Sequence, residues 1–218
     1  MAFPDYLRGR WPDLTAERPQ LLDAADAIGR WYANGRTGDV LNVSMPTRFG
    51  KSLTATAFSA WCYLQDPLTR ILRASYSADL AETLGVQVRS QYERFFETMT
   101  GHAPLISGTR SRWRFGGLDQ DSHAAVGIDG GITGFGFNLA IIDDTAKNML
   151  EAMSPAYERK LKTFKESVLL GRLEGRRKIL NVGTRWTVND WFSMWPDAES
   201  YVLPAMIDGN SCCEAWKT

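Results

Sequence analysis

The spacing of hydrophobic residues alternates between a helical period and short continuous runs, which predicts helices alternating with strands. In residues 15–35 (TAERPQLLDAADAIGRWYANG) one helical face carries apolar side chains, and the helix is predicted to stop at Asn34-Gly35. These side chains are Leu21, Leu22, Ala25, Ile28, Trp31 and Tyr32. Five short runs rich in β-branched and aliphatic residues predict buried strands. They are 39–44 (DVLNVS), 70–76 (RILRASY), 137–144 (FNLAIIDD), 177–186 (RKILNVGTRW) and 200–205 (SYVLPA).

Further helices are predicted between these strands. Residues 52–65 follow the first strand, and a long helix should begin at Asp79, because Asp79 and Glu82 have the spacing of a capping box. Its apolar stripe is Leu80, Leu84, Val88, Phe95 and Met99. Ser154 followed by Pro155 is typical of another helix start. Each of these helices can cover one face of the sheet that the strands would form.

The alternation of strands and helices predicts an α/β fold with a mainly parallel central sheet and helices on both faces. Residues 111–117 (SRWRFGG) and 122–128 (SHAAVGI) indicate a small antiparallel addition, interpreted as a local insertion. In such sheets ligands bind at the carboxyl ends of the strands. Three groups of reactive residues fall at such ends, around Lys51, Asp143 and Thr184.

Composition narrows the possible functions only slightly. The 218 residues suit one sizeable domain. Lys plus Arg and Asp plus Glu number 25 each, so any contact with nucleic acid would need a local basic patch. No apolar run approaches the roughly 18 residues of a membrane span, and the first residues lack the apolar core of a signal peptide. Three cysteines without metal-ligand spacing suit a reducing cytoplasm.

Residues 44–52, SMPTRFGKS, resemble a phosphate-binding loop in which Met45 replaces the first glycine. Gly50 allows close approach of the backbone to phosphate, Lys51 suits the terminal phosphates, and the Ser52 hydroxyl suits Mg²⁺. Pro46 can stiffen the loop entry in place of that glycine. The alternative is a chance Gly-Lys-Ser at the start of a helix.

The predicted strand 137–144 ends in two carboxylates, Asp143 and Asp144. A magnesium nucleotide needs one carboxylate for the metal and another group to orient the attacking water, and these roles suit Asp143 and Asp144 respectively. A solvated strand end is the alternative. Thr184, after the next buried strand, can sense the terminal phosphate through its hydroxyl, and a helix cap is the alternative there.

Four segments in this order resemble the ATPase domain of a large terminase subunit, the motor that packages viral DNA, from about Pro19 to Pro204. MPTRFGKS is similar to the family's Walker A variant, which often lacks the leading glycine and carries the equivalent of Arg48. RASYSADLAETLGVQVR resembles the segment after the second strand, GGITGFGFNLAIIDDTAKN the Walker B region, and GTRWTVNDW the coupling motif. The resemblance implies a RecA-like (ASCE) P-loop NTPase.

The resemblance implies a role for each matching residue, with ATP and Mg²⁺ as cofactors. ATP would be bound by Gln20, Pro46, Thr47, Arg48, Phe49, Gly50, Lys51 and Ser52, and Mg²⁺ by Ser52 and Asp143. The catalytic residues would be Lys51, Arg48 and Asp144, the last of which stands where many relatives have glutamate. Thr184 and Arg185 would couple hydrolysis to motion.

The implied partners are double-stranded DNA, a portal protein, a small terminase subunit and further copies of the chain in a ring, with no membrane. The implied location is the host cell cytoplasm. One domain is expected over 1–218, with a helical segment at 1–38, a core at 39–204 and the start of a linker at 205–218. Since no acidic nuclease cluster follows, we expect an isolated ATPase domain and no DNA cleavage.

Phe135 stands where relatives often carry an arginine that acts on a neighbouring subunit. Four candidates for a replacement are Arg110, Arg112, Arg114 and Arg185. The basic run GRLEGRRK at 171–178 is a possible DNA surface or a solvated turn. Two other functions remain open: another RecA-like DNA-dependent ATPase of the helicase or repair type, and a nucleotide-binding assembly module with little turnover.

Overall fold

The computed structural model describes residues 1–34 and 36–204 in full, and 206–207 and 210–211 as backbone. Within this part of the chain, eight strands form one sheet in the order β3-β4-β5-β2-β6-β7-β1-β8. They are β1 (Val40–Ser44), β2 (Ile71–Ser75), β3 (Ile106–Gly108), β4 (Arg112–Phe115), β5 (His123–Gly127), β6 (Phe137–Asp143), β7 (Leu173–Gly183) and β8 (Glu199–Val202). A two-residue pair, β9 (Met206–Ile207) and β10 (Asn210–Ser211), stands apart from this sheet.

The strands from β5 to β8 in the sheet order pair in parallel, whereas β3 and β4 are antiparallel to their neighbours. The predicted mainly parallel sheet with a small antiparallel addition is therefore confirmed. Because β5 also pairs in parallel with β2, the addition extends the main sheet and is not a separate insertion. Strand β7 lies between β1 and β6. The strand ends that precede Lys51 and Thr184 and the one that contains Asp143 therefore lie side by side.

Seven α-helices connect or flank these strands within the described residues. They are α1 (Phe3–Arg10), α2 (Pro12–Glu17), α3 (Gln20–Ala33), α4 (Lys51–Gln65), α5 (Ala78–Thr100), α6 (Met149–Ala152) and α7 (Pro155–Thr163). A π-helical turn follows at Phe164–Leu169 and a 3₁₀ turn at Trp191–Met194. None of them is long and apolar enough to span a membrane.

Two apolar clusters cover the two faces of the sheet, as the alternation of side chains along its strands requires. On one face, residues of α1, α3, α4 and α5 pack with Leu41, Leu139 and Ile141. On the other face, residues of α7 and the π-helical turn pack with Leu72 and Ala140. The sheet is thus buried on both faces, and ligands can reach its polar side chains at the ends of the strands.

Two details of α5 differ from the sequence-based prediction. Its N-cap is Ser77, whose hydroxyl accepts a hydrogen bond from the Leu80 amide at 3.3 Å, so the capping box assigned to Asp79 and Glu82 is wrong. Ser77 has an extended backbone, the usual conformation of an N-cap, and its side chain satisfies an amide of the first turn. The apolar stripe also ends early, because Met99 is exposed.

The basic run at 171–178 lies mostly inside β7, which begins at Leu173, so the interpretation as a turn before the strand is wrong. Its pairing with β6 is irregular between Phe137 and Leu139, which leaves residues 174–177 exposed. Lys178 is instead fully buried and donates hydrogen bonds to the Trp31 carbonyl (2.8 Å) and to Asn34 (2.7 Å). Lys178 therefore has no access to a DNA phosphate.

Candidate functional site

The loop between β1 and α4 has the backbone that a phosphate-binding loop requires. Gly50 is the N-cap of α4 and has φ +86°, a conformation that favours glycine. A Cβ at this position would lie 2.9 Å from Leu21 Cδ2, so the space is also restricted. Arg48 has φ +65°, and such backbone strain outside glycine concentrates at functional sites. The first amides of a helix have no acceptor within the helix, so those at the start of α4 can bind an anion.

Lys51 connects this loop to the end of β7. Its ammonium donates hydrogen bonds to the Pro46 carbonyl at 3.0 Å and to Thr184 Oγ1 at 2.9 Å. Burial lowers the pKa of Lys51, while the nearby carboxylates of Asp144 and Asp143 oppose the shift. A buried cation whose hydrogen-bond acceptors are neutral attracts an anion strongly, because little water screens it. The structure thus brings Lys51 and Thr184 together, as predicted from their strand ends.

Asp143 ends β6 and is fully buried beside the start of α4. Its Oδ1 accepts a hydrogen bond from Ser52 Oγ at 3.2 Å, and its Oδ2 accepts one from Arg73 at 2.6 Å. One hydroxyl and one carboxylate oxygen side by side fit Mg²⁺, which in nucleotide sites takes few protein ligands and completes its shell with phosphates and water. These are the two residues predicted to hold the metal.

Asp144 turns the chain sharply after β6. It has φ +44°, its amide donates to the Val182 carbonyl at 3.0 Å, and its carbonyl accepts from the Tyr76 amide at 3.0 Å. Burial raises the pKa of Asp144, and the charge of Asp143 adds to this, while Lys51 opposes it. A carboxylate with a raised pKa is a better proton acceptor. A hydrogen bond from the Thr184 backbone to the Asp144 carboxylate also opposes the rise in its pKa and places this carboxylate beside Thr184.

The segment after Thr184 is organised by Asp190, which the sequence-based reasoning missed. Its carboxylate accepts hydrogen bonds from Arg185 Nε (3.1 Å), the Trp186 amide (3.3 Å) and the Phe192 amide (3.1 Å). It therefore caps the 3₁₀ turn and holds the Arg185 side chain in an ion pair. The position of Asp190 directly before that turn, where aspartate is a favoured cap, is the signal that could have identified it.

The remaining nucleotide-binding candidates lie around the loop. Thr47 and Arg48 are exposed, and the Arg48 carbonyl accepts a hydrogen bond from Arg18 at 2.9 Å. Phe49 packs against the apolar cluster of α3 and α4. Gln20 begins α3, is buried, and its Oε1 has no hydrogen-bond partner within the described part of the chain. The start of α3 thus packs against the loop, and Arg18 was not anticipated.

The candidate arginine beside Phe135 is Arg112, and its side chain is already paired with Asp121. Phe135 is 3% exposed and belongs to the apolar cluster below α7. Arg112 lies 5.6 Å from its ring and forms an ion pair with Asp121 at 2.7 Å. Arg114 donates to a neighbouring carbonyl at 3.3 Å. Arg110 is exposed and makes a long hydrogen bond of 3.4 Å to a threonine, so it is the least constrained of these three arginines.

No known protein-family model matches the sequence, and no curated protein matches it. Among solved structures, the bacteriophage HK97 large terminase is similar with a TM-score of 0.55 and 17% identity. The alignment covers 87% of this chain and 40% of the HK97 protein, so the chain spans less than half of that relative. The Thermus phage P74-26 large terminase ATPase domain aligns over 81% of this chain and 78% of its own length, with 18% identity and a TM-score of 0.47. The predicted RecA-like fold, similar to that of phage large terminases, is confirmed.

Proposed function

We propose that this chain hydrolyses Mg-ATP and drives the packaging of viral double-stranded DNA. The observation that carries the proposal is the convergence of five side chains at the carboxyl ends of neighbouring strands. The Lys51 ammonium contacts Thr184, and Ser52 contacts Asp143. The charges of Asp144 and Asp143 both act on Lys51. The fold similarity to phage large terminases supports the same assignment.

Each side chain has a distinct task in this proposal. Lys51 binds the terminal phosphates of ATP and exchanges its contact with Thr184 for a phosphate oxygen. Ser52 and Asp143 hold Mg²⁺, which neutralises charge on the phosphates during transfer. Asp144 orients the attacking water and accepts its proton. Arg48, exposed on the loop above α4, is placed to contact a phosphate or a neighbouring subunit.

Thr184 and the Asp190 carboxylate provide a route from the nucleotide to the rest of the chain. The Thr184 hydroxyl accepts from Lys51 and donates to the Met45 carbonyl at 3.4 Å. When Lys51 binds a phosphate oxygen, it no longer donates a hydrogen bond to the Thr184 hydroxyl, and this hydroxyl is free to rotate. Asp190 then carries any shift to the 3₁₀ turn and Arg185, since it bonds to both.

Translocation would take place in a homo-oligomeric ring docked on a portal protein in the host cytoplasm, with a small terminase subunit presenting the DNA. Contacts to DNA would be made to phosphates and would be independent of sequence. Arg176 and Arg177 lie in the exposed stretch of β7 and are available for such contacts, unlike Lys178. Of Arg110, Arg112 and Arg114, Arg110 is the one assigned to reach a neighbouring nucleotide, because it is exposed and makes one long hydrogen bond.

Phosphate release from ATP tests the proposed function. Wild-type protein should release phosphate with Mg²⁺ and not with excess EDTA. Ser52→Ala should lower this rate at least about tenfold, because one of the two protein groups holding the metal is lost. Ser59→Ala is the matched control, since Ser59 lies in the same helix and, among the residues that the structure describes, its hydroxyl bonds only to the Ala55 carbonyl.

Rates equal in wild type, Ser52→Ala and Ser59→Ala would contradict the proposal. The assay should include DNA and a high protein concentration, because a neighbouring subunit can supply an arginine worth several powers of ten in rate. Nucleotide binding without any phosphate release under these conditions would assign the chain to the alternative function, a nucleotide-binding assembly module. Strand separation of duplex DNA would assign it to the helicase type.

A further inference from the structure

We propose that Arg73 of β2 is a positioning residue that holds Asp143 in the orientation needed for metal binding. This inference rests on the proposed Mg-ATP site. Arg73 is the first residue of the segment RASYSADLAETLGVQVR, but no role was predicted for it, and it occupies the middle of the short buried strand β2. Its Nη2 donates to Asp143 Oδ2 at 2.6 Å, and both side chains are essentially without solvent exposure.

The fold places Arg73 between the end of β6 and helix α4. Strand β2 pairs with β6 so that Arg73 is opposite Ile141, two residues before Asp143, and the two polar side chains share one face of the sheet. Helix α4 covers this face. Its residues Ser52 and Thr56 are one turn apart, and the first contacts Asp143 while the second lies 3.5 Å from the Arg73 guanidinium.

The two oxygens of Asp143 consequently have different partners. Oδ2 is occupied by Arg73, and Oδ1 faces Ser52, the residue that begins the metal site. A carboxylate anchored at one oxygen cannot rotate freely, so its other oxygen stays at the metal position. Metal binding then costs little side-chain conformational entropy. Arg73 thus acts on the metal through Asp143 and has no contact with the nucleotide.

Packing alone does not explain an arginine at this position. A buried ion pair is usually no more stabilising than apolar residues of similar size, and Nε and Nη1 of Arg73 have no hydrogen-bond partner within the described part of the chain. Ile71, the preceding residue on the same face of β2, is apolar and fully buried. The contact with Asp143 is therefore the feature that an apolar residue would lose.

The test separates metal binding from nucleotide binding. Mn²⁺ affinity is measured by electron paramagnetic resonance in the presence of a non-hydrolysable ATP analogue, and analogue affinity is measured separately in EDTA. Arg73→Met should weaken Mn²⁺ binding about 10- to 100-fold, as for other groups that orient metal ligands. Analogue affinity in EDTA should stay within about twofold, because Lys51 and the loop amides, which Arg73 does not touch, provide it.

Lys178→Met is the matched control, because it also removes a fully buried cation from a central strand. Lys178 pairs with Leu139, four residues before Asp143, and has no contact with the site. It should lower the melting temperature without changing Mn²⁺ affinity. Arg73→Lys keeps the charge and one donor, so it should restore part of the Mn²⁺ affinity, and it is the variant to measure if melting curves show that Arg73→Met is unfolded.

The role of Arg73 would be overturned if Arg73→Met bound Mn²⁺ as tightly as the wild type does. If Arg73→Met is unfolded, a wild-type Mn²⁺ affinity in Arg73→Lys would overturn it. Equal losses in the Arg73 variants and in Lys178→Met would do the same, because they would indicate general destabilisation. A wild-type protein that binds no analogue at all would instead refute the proposed function itself. The two failures are therefore distinguishable.

Discussion

Lys51→Ala is expected to lower the rate of ATP hydrolysis by about 10²- to 10³-fold, the loss typical of removing one charge-stabilising donor from an active site. Lys51 is buried, and its ammonium is held by two neutral oxygens between the loop and the end of β7. In this environment its charge acts on a bound phosphate with little screening. The measurement is steady-state phosphate release with saturating Mg-ATP, with melting curves to show that the variant is folded.

The matched control for this variant is Lys147→Ala. Lys147 is an exposed lysine only four residues after Asp143, and no ion pair involving its side chain is found within the described residues. Its loss should change the rate by less than about twofold, as expected for a surface charge screened by salt. A folded Lys51→Ala protein with the wild-type rate would remove the loop from the mechanism.

Asp144→Asn is expected to lower kcat by about 10²- to 10⁴-fold, which is the range for loss of a general base. Asparagine tolerates the left-handed backbone that Asp144 adopts at φ +44°, so the turn after β6 should be kept. The substitution removes only the charge and the proton-accepting oxygen. Nucleotide affinity should change little, since Lys51 and Ser52 remain.

Asp129→Asn is the control for that measurement. Asp129 is exposed and forms a loose pair with Lys160 at 3.6 Å, away from the strand ends of the site. Its rate should equal that of the wild type. If Asp144→Asn keeps its kcat while the analogue still binds, Asp144 is not the group that activates water, and another carboxylate or the neighbouring subunit must do so.

Much of the fold followed from local patterns. The apolar runs that became β1, β2 and β6 are short and bounded by polar residues, and burial on both faces makes such runs continuous in the sequence. The loop at Gly50 and the acids Asp143 and Asp144 at the end of β6 were identified because their chemistry requires particular residues at fixed positions. The metal, phosphate and catalytic roles of these residues stay predictions.

Other features depend on contacts between distant segments, which a local pattern does not contain. Arg73 interrupts an apolar strand, and only the pairing of β2 with β6 explains its burial, through a partner 70 residues away. Arg18 contacts the loop 30 residues further along the chain. The start of α5 was misplaced by two residues because both Ser77 and Asp79 are good caps, and the backbone decides between them.

The central claim is that Lys51 and the Ser52–Asp143 pair face one metal-bound triphosphate. A crystal structure of the protein with Mg²⁺ and a non-hydrolysable ATP analogue tests it most directly. The account predicts Lys51 Nζ about 3 Å from a terminal phosphate oxygen, released from Thr184, and Mg²⁺ about 2.1 Å from Ser52 Oγ with Asp143 Oδ1 at the metal or its water. An analogue bound elsewhere, with Lys51 still on Thr184 and no anion above the loop, would contradict it.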